Sequence, residues 1–138
     1  MKYFGTFLLY LTLCSLWAQG ETEVYLFDLT KDVDSPINIS HNPGYDNQPS
    51  FWANDHLLYT RTRAGQTDIV RYKLNSKTTE WLCDTAQGSE YSPLRIPESK
   101  AFSAIRLDTT GLQRLYRYTE DGKSELLFSP LKIGYHHW

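Results

Sequence analysis

The residues able to do chemistry are few and scattered along this chain. Four histidines, His41, His56, His136 and His137, are the raw material for a metal site, which needs convergent ligands. On an extended strand His136 and His137 point to opposite faces, and no cysteine or carboxylate stands at ligand spacing from them. Surface positions are therefore expected for the histidines, with no metal and no cofactor. Gly88-Ser89-Glu90 lacks the G-x-S-x-G form of a nucleophile elbow, and nothing around it reads as a strand-to-helix turn. Asp28, Asp46, Asp84 and Asp108 fall in turns or at strand ends, where turn-forming roles outweigh acid–base work. Trp52 and Trp81 could offer stacking faces to a sugar ring. Trp52, however, ends an apolar strand containing Phe51, and Trp81 sits where a matching unit has Leu127, so core packing is expected for both. Asn38-Ile39-Ser40 fits a glycosylation sequon, which matters only in a eukaryotic secretory host. The chain is expected not to be an enzyme.

A repeat must position whatever function there is. Ile69-Val-Arg-Tyr-Lys-Leu-Asn-Ser-Lys77 aligns with Leu115-Tyr-Arg-Tyr-Thr-Glu-Asp-Gly-Lys123 at an offset of 46. Glu23-Val-Tyr-Leu-Phe-Asp-Leu29 aligns with Asp68-Ile-Val-Arg-Tyr-Lys-Leu74 at an offset of 45. Gly44, Gly88 and Gly134 share a phase, as do Gly65 and Gly111. A period near 45 with several short strands per unit is the spacing of a β-propeller blade.

The first twenty residues are a different material. Lys2 precedes an uncharged, mostly apolar run from Tyr3 to Trp17, and Ala18-Gln19-Gly20 offers small residues before Glu21. This reads as a signal-peptide helix over 1–20. The run of about 15 residues is short of the roughly 20 that a bilayer core requires. Leu11-Thr12-Leu13 lacks the small residue expected ahead of a lipid-modified Cys14. Cleavage after Gly20 leaves Cys83 as the only thiol, so no internal disulfide can form. Without Lys2 there are 13 basic residues against 16 acidic ones, a net of −3, which gives no electrostatic reason to expect nucleic acid or an anionic membrane surface.

The composition favours strands: the full chain's 10 Tyr and many Thr stand mostly among short apolar runs bounded by turn residues, and beyond residue 20 no helical periodicity is sustained. Strands are expected at Glu23–Leu29, Pro36–Ser40, Gln48–Trp52, His56–Thr62, Thr67–Leu74 and Glu80–Cys83. The plan then repeats at Tyr91–Ile96, Ala101–Leu107, Gln113–Thr119 and Glu125–Phe128. Within Thr67–Leu74, Val70, Tyr72 and Leu74 alternate with Ile69, Arg71 and Lys73, the half-buried pattern of an antiparallel sheet.

Taken in order, Asn47-Gln-Pro-Ser-Phe-Trp52, His56-Leu-Leu-Tyr-Thr-Arg-Thr62, Gly65 and Asp68-Ile-Val-Arg-Tyr-Lys-Leu74 resemble one TolB-type propeller repeat. Tyr91-Ser-Pro93, Ala101-Phe-Ser-Ala-Ile105, Gly111 and Leu115-Tyr-Arg-Tyr118 resemble a second one more loosely. The SPDG turn of that repeat is replaced here by Ala53-Asn-Asp55 and by Pro97-Glu-Ser-Lys100. The resemblance implies a periplasmic or secreted protein, in agreement with the signal peptide.

The expected fold is thus all-β, a partial propeller of about two and a half four-stranded antiparallel blades. Blade-like units cover 44–87 and 88–131, with 21–43 as closing strands and 132–138 as the start of a further blade. A ring needs at least four blades, so an N-terminal fragment of a longer propeller is expected, or else self-association through open edges. On that reading Glu23–Leu29 lacks its proper partners, leaving Val24, Leu26 and Leu29 poorly packed. The leading functional expectation is a non-catalytic propeller binding a protein or peptide partner. In the propeller plan, loops 41–48 and 85–91 lie on one face with loops 61–67 and 107–113, and from them Tyr45, Asp46, Asn47, Arg63, Glu90 and Tyr91 are expected to make contacts. Two alternatives stand beside it: the propeller portion of a prolyl-oligopeptidase-like hydrolase whose catalytic domain lies further on, and a carbohydrate-binding propeller. Fold alone does not choose among them.

Overall fold

A computed structural model of the chain describes residues 20–31 and 35–138; the expected signal-peptide helix lies outside the described residues. Ten strands follow in order. They are β1 (Tyr25–Leu26), β2 (Ile37–Asn38), β3 (Asn47–Ala53), β4 (His56–Arg63), β5 (Gln66–Lys73), β6 (Thr78–Trp81), β7 (Ser89–Arg95), β8 (Phe102–Leu107), β9 (Gln113–Tyr118) and β10 (Ser124–Leu126). No helix occurs among the described residues. The strands β3-β4-β5-β6 form one four-stranded antiparallel meander, blade 1, and β7-β8-β9-β10 form a second, blade 2. The repeat of about 45 residues is therefore one blade-like sheet per unit.

The alternation read in the sequence decides how the sheets stack. In the register of β4 with β5, Leu57 faces Tyr72 and Tyr59 faces Val70 on one side of blade 1, while Thr60 faces Ile69 on the other. Leu58, Ile69, Leu82 and Cys83 pack against Phe102, Ala104, Tyr116 and Tyr118 of blade 2, joined by Trp52 and Leu126. Phe102 lies stacked on Tyr118 at 5.1 Å and edge-on to Trp52 at 6.2 Å. The opposite face of blade 1, with Leu57, Tyr59, Val70 and Tyr72, receives Val24 and Ile39 from the N-terminal segment.

The first strands of the two blades carry the same irregularity 44 residues apart. Pairing slips between Asn47 and Ser50 in β3 and between Tyr91 and Leu94 in β7. Gln48 and Ser92 adopt φ of 55° and 52°, each immediately before a proline that has no N–H to give the ladder. The two bulges meet: Gln48 Oε1 accepts the Ser92 N–H at 2.9 Å, and the Ser50 hydroxyl donates to the Pro93 carbonyl at 2.6 Å. The proline position that breaks each ladder thus ties blade to blade.

The ends differ from expectation. Of Glu23–Leu29, only Tyr25–Leu26 pairs, antiparallel with Ile37–Asn38, and Thr22 bridges Tyr45. Val24 is not left poorly packed; it is buried against blade 1, its N–H given to the Ser40 hydroxyl, whereas Leu29 is 83% exposed. β6 begins two residues earlier than expected because Lys77, at φ 54°, closes a tight turn onto the Lys73 carbonyl. Residues 132–138 form no strand and cross the outer face of blade 2, where Ile133 N–H meets the Gln113 carbonyl and the Trp138 indole donates to Ser103 at 2.8 Å.

Candidate binding face

The turns joining β4 to β5 and β8 to β9, and the loop from β6 to β7, converge on one rim. Gly65, Gln66, Ala86, Gln87, Gly88, Ser89, Leu107, Asp108, Thr109 and Gly111 line an open depression of about 470 Å³ there. Hydrogen bonds fix the loops to one another: the Gln66 amide donates to the Thr85 carbonyl at 2.9 Å, and the Thr67 N–H to the Ser89 hydroxyl at 3.3 Å. Gly88 sits at φ 135° with the Leu107 carbonyl 3.1 Å from where a Cβ would stand, so only glycine brings the loop this close. Arg106 and Arg114 both bind Asp108, at 3.1 and 2.7 Å, and Arg106 lies 3.6 Å from the Tyr116 ring centre. The loop at 41–46 repeats the plan one unit earlier: Asn42 Nδ2 donates to Asp46 Oδ1 at 2.9 Å and to the Thr62 carbonyl at 3.0 Å.

Behind the rim lies a buried charged cluster. Glu90 accepts from the Tyr118 hydroxyl at 2.9 Å and from Thr85, and its second oxygen has no partner. Burial pushes the Glu90 carboxyl up to about 7, against the hydrogen bonds from Thr85 and Tyr118, with Asp68 nearby adding to the rise. Asp68 takes the Arg63 guanidinium at 2.9 Å and the Gln66 amide at 3.0 Å. Cys83 completes a trio with Asp68 and Glu90 whose ligand atoms lie within 4.8 Å of one another, the grouping among the described residues nearest to a metal-ligand set. Burial drives the Cys83 thiol far above its usual range, and Arg63 already supplies a cation to Asp68. The geometry therefore suits a protonated Glu90 beside an Arg63–Asp68 pair better than a bound cation.

The six residues expected to make contacts separate into three groups. Tyr45 and Tyr91 come together edge-on with ring centres 6.2 Å apart, and Asn47, also half-buried, follows Tyr45. Asp46 and Glu90 are corrected: both are 0% exposed, at equivalent positions of the repeat, and neither side chain can be touched from outside. Each carboxylate caps the loop before the bulge, Asp46 by accepting the Thr62 N–H at 3.1 Å and Glu90 by holding Thr85. Arg63 is spent on Asp68 and Asp84 and stacks 4.3 Å from the Trp81 ring. Trp52 packs into the core between the blades, but Trp81 departs from the core expectation: it is 39% exposed at the rim, one face under Arg63. The residues that line the depression, Gln66, Gln87 and Thr109 among them, have no sequence pattern of their own. Their only mark is the glycine phase that Gly65 and Gly111 share.

No protein-family model matches the chain, and no curated protein matches it. Among solved structures, TolB from Acinetobacter baumannii is similar, with a TM-score of 0.67 and 22% identity over 82% of this chain. The match covers 28% of the TolB chain. At that identity the likeness bears on fold: the two blades have a TolB-like, propeller-like arrangement.

Proposed function

We propose that this chain is an exported, non-catalytic binding module that holds a protein or peptide partner on the rim formed by its inter-strand loops, in the periplasm or outside the cell. The observation that carries this reading is the convergence of loops from both blades on one depression, with the β4–β5 turn and the β6–β7 loop held from behind by the buried Asp68 and Glu90. A rim so constructed costs little to order when a partner docks, which is what favours binding over loose encounter. The TolB-like fold and the apolar N-terminal run support the export half of the proposal. The sugar-binding alternative draws no support from the tryptophans, since Trp52 is packed inside and Trp81 carries an arginine on its face.

The test is site-specific photo-crosslinking in the exporting cell. Probes at Gln87, Thr109 or Gln66 are expected to give one discrete adduct. Probes at Asn75, Glu98 or Gly122, in turns between the opposite strand ends, are expected to give none. Equal yields from both rims, or none from either, would overturn the assignment.

A further inference from the structure

Two carboxyl groups lie side by side under the rim, and the guanidinium that reaches them is spent on one. Glu90 and Asp68 are both 0% exposed, with oxygens within 4.8 Å of each other. Arg63 is committed to Asp68 at 2.9 Å and to Asp84. Other groups around Glu90 bring it no positive charge. Arg106, opposite it in the register of β7 with β8, is turned to Asp108 and the Tyr116 ring, and Arg61 of β4 to Asp46. Cys83, after β6, and Tyr118, in β9, are driven by burial far above their usual ranges and stay neutral. Two neighbouring carboxyls in so dry a site do not both ionise without water or a further cation. The closed structure suits a protonated Glu90.

The loop joining β6 to β7 covers this site. Asp84, Ala86 and Gln87 are exposed, and Thr85 between them fastens the loop down. Its hydroxyl donates to Glu90, its N–H to Asp68 at 3.4 Å, and its carbonyl takes the Gln66 amide at 2.9 Å. The same loop supplies Ala86, Gln87 and Gly88 to the depression. Tyr118, the other partner of Glu90, is stacked on Phe102 in the shared core and has no such freedom to move. The two hydroxyls would also serve an ionised Glu90, but both bind Oε1, and Oε2 is buried without a partner. Burial outweighs them, raising the carboxyl from 4.5 to about 7. The closed loop is therefore fully favoured below about 4.5 and loses that advantage as pH rises through 7.

We propose that Glu90, Asp68 and Thr85 form a pH-sensitive latch under the rim. With Glu90 protonated the loop is shut and the depression is complete. When the proton leaves, the loop lifts, carrying Thr85 away, so that water reaches the carboxylate and screens it from Asp68. Local opening of this kind needs no unfolding of the sheets behind it. The latch governs the rim read above as the partner site, and its use rests on that reading. Its test needs no partner, so the two can fail separately.

The experiment is native-state amide exchange on the full chain at about pH 5.5 and about pH 8, corrected for the intrinsic pH dependence of exchange. The Thr85 and Thr67 amides, whose acceptors are Asp68 and the Ser89 hydroxyl, report opening of the loop, and Tyr59 reports global unfolding. Opening at Thr85 and Thr67 is expected to rise on the order of tenfold between the two pH values, since opening returns Glu90 to its ordinary range. Both amides should open far more often than Tyr59. Glu90→Gln keeps the oxygen that Thr85 and Tyr118 use and has no proton to lose, so its loop should open equally at both pH values. Asp68→Asn keeps an acceptor for Thr85 and frees Arg63 for Glu90, so the rise should shrink severalfold. A parent whose loop amides ignore pH overturns the proposal, as does one whose loop amides exchange only as often as Tyr59. An undiminished rise in Glu90→Gln overturns it too. If that variant does not fold, Asp68→Asn is read in its place, and an undiminished rise there is equally fatal.

Discussion

In blade 1, Tyr59 and Val70 meet Val24 and Ile39 on one face while Leu58 and Ile69 meet Phe102 and Tyr118 on the other. In blade 2 the inner face is the same shared core, but the outer face, with Ile105 and Leu115, meets only the strandless segment that ends at Trp138. The two units share strand order, turn phase and even the bulge before proline, so intrinsic strand preference cannot explain the difference. What differs is the neighbour. A blade is a sheet with two apolar faces, and its stability is set by what each face is packed against.

That comparison can be broken most forcefully at the shared core. Phe102→Ala removes a ring held between Trp52 and Tyr118 and should cost about 3–5 kcal/mol, enough to abolish cooperative unfolding in a domain of ordinary stability. Trp138→Ala, on the half-covered outer face, should cost about 1 kcal/mol, read by urea melts of both variants. Equal losses would mean that the outer face is as well packed as the inner one.

The buried carboxyl groups sharpen the comparison through pH. Glu90 titrates near 7 when folded, above its ordinary 4.5, so the folded state holds a proton that the unfolded chain releases first. Its contribution is fully present below pH 4.5 and is lost as pH rises through 7, a span of roughly 3 kcal/mol. Glu90→Gln should flatten that fall in melts taken between pH 4.5 and 8. Asp46, at the same position of blade 1, is raised by burial to a lesser degree, so Asp46→Asn should alter the profile less. An unchanged slope in Glu90→Gln would place the titrating proton elsewhere.

A smaller contrast lies in the loops. At Gly88 an added Cβ meets the Leu107 backbone carbonyl at 3.1 Å, whereas at Gly44 it meets the Thr62 side chain at 3.0 Å. Both positions carry φ beyond 110°, so Gly→Ala is strained in each, by about 1–3 kcal/mol. Gly88→Ala should be the worse, since a side chain can move aside more readily than a carbonyl in a ladder; thermal melts of the pair decide the order.

Much of this fold was legible in the chain. Val70 and Tyr72 alternating with Ile69, Arg71 and Lys73 announce a half-buried antiparallel strand, and the propeller plan announces which loops share a rim; that Ile69 is buried as well, against blade 2, is visible only once the second sheet is in place. The burial of Asp46 and Glu90 was not legible, because a carboxylate in a loop reads as solvated until the hydroxyl of Tyr118, 28 residues away, is seen to reach it. Val24 is buried for a related reason. Its phase marked it as a strand without partners, but burial needs only an apolar face to land on, and Tyr59 with Val70 supplied one. Trp81 escaped the core because Arg63, fixed by Asp68, occupies the space beneath the rim.

The central claim is that two sheets encoded by one repeat fold as a single unit through the core they share. Native-state amide exchange tests it most directly, read at Tyr59 and Ile69 in blade 1 and at Ile105 and Leu115 in blade 2. The account predicts one common opening free energy for all four amides, equal to that of global unfolding, with Tyr25 and Ile37 exchanging far sooner. Protection that persists in blade 1 while the amides of blade 2 open several kcal/mol earlier would contradict it.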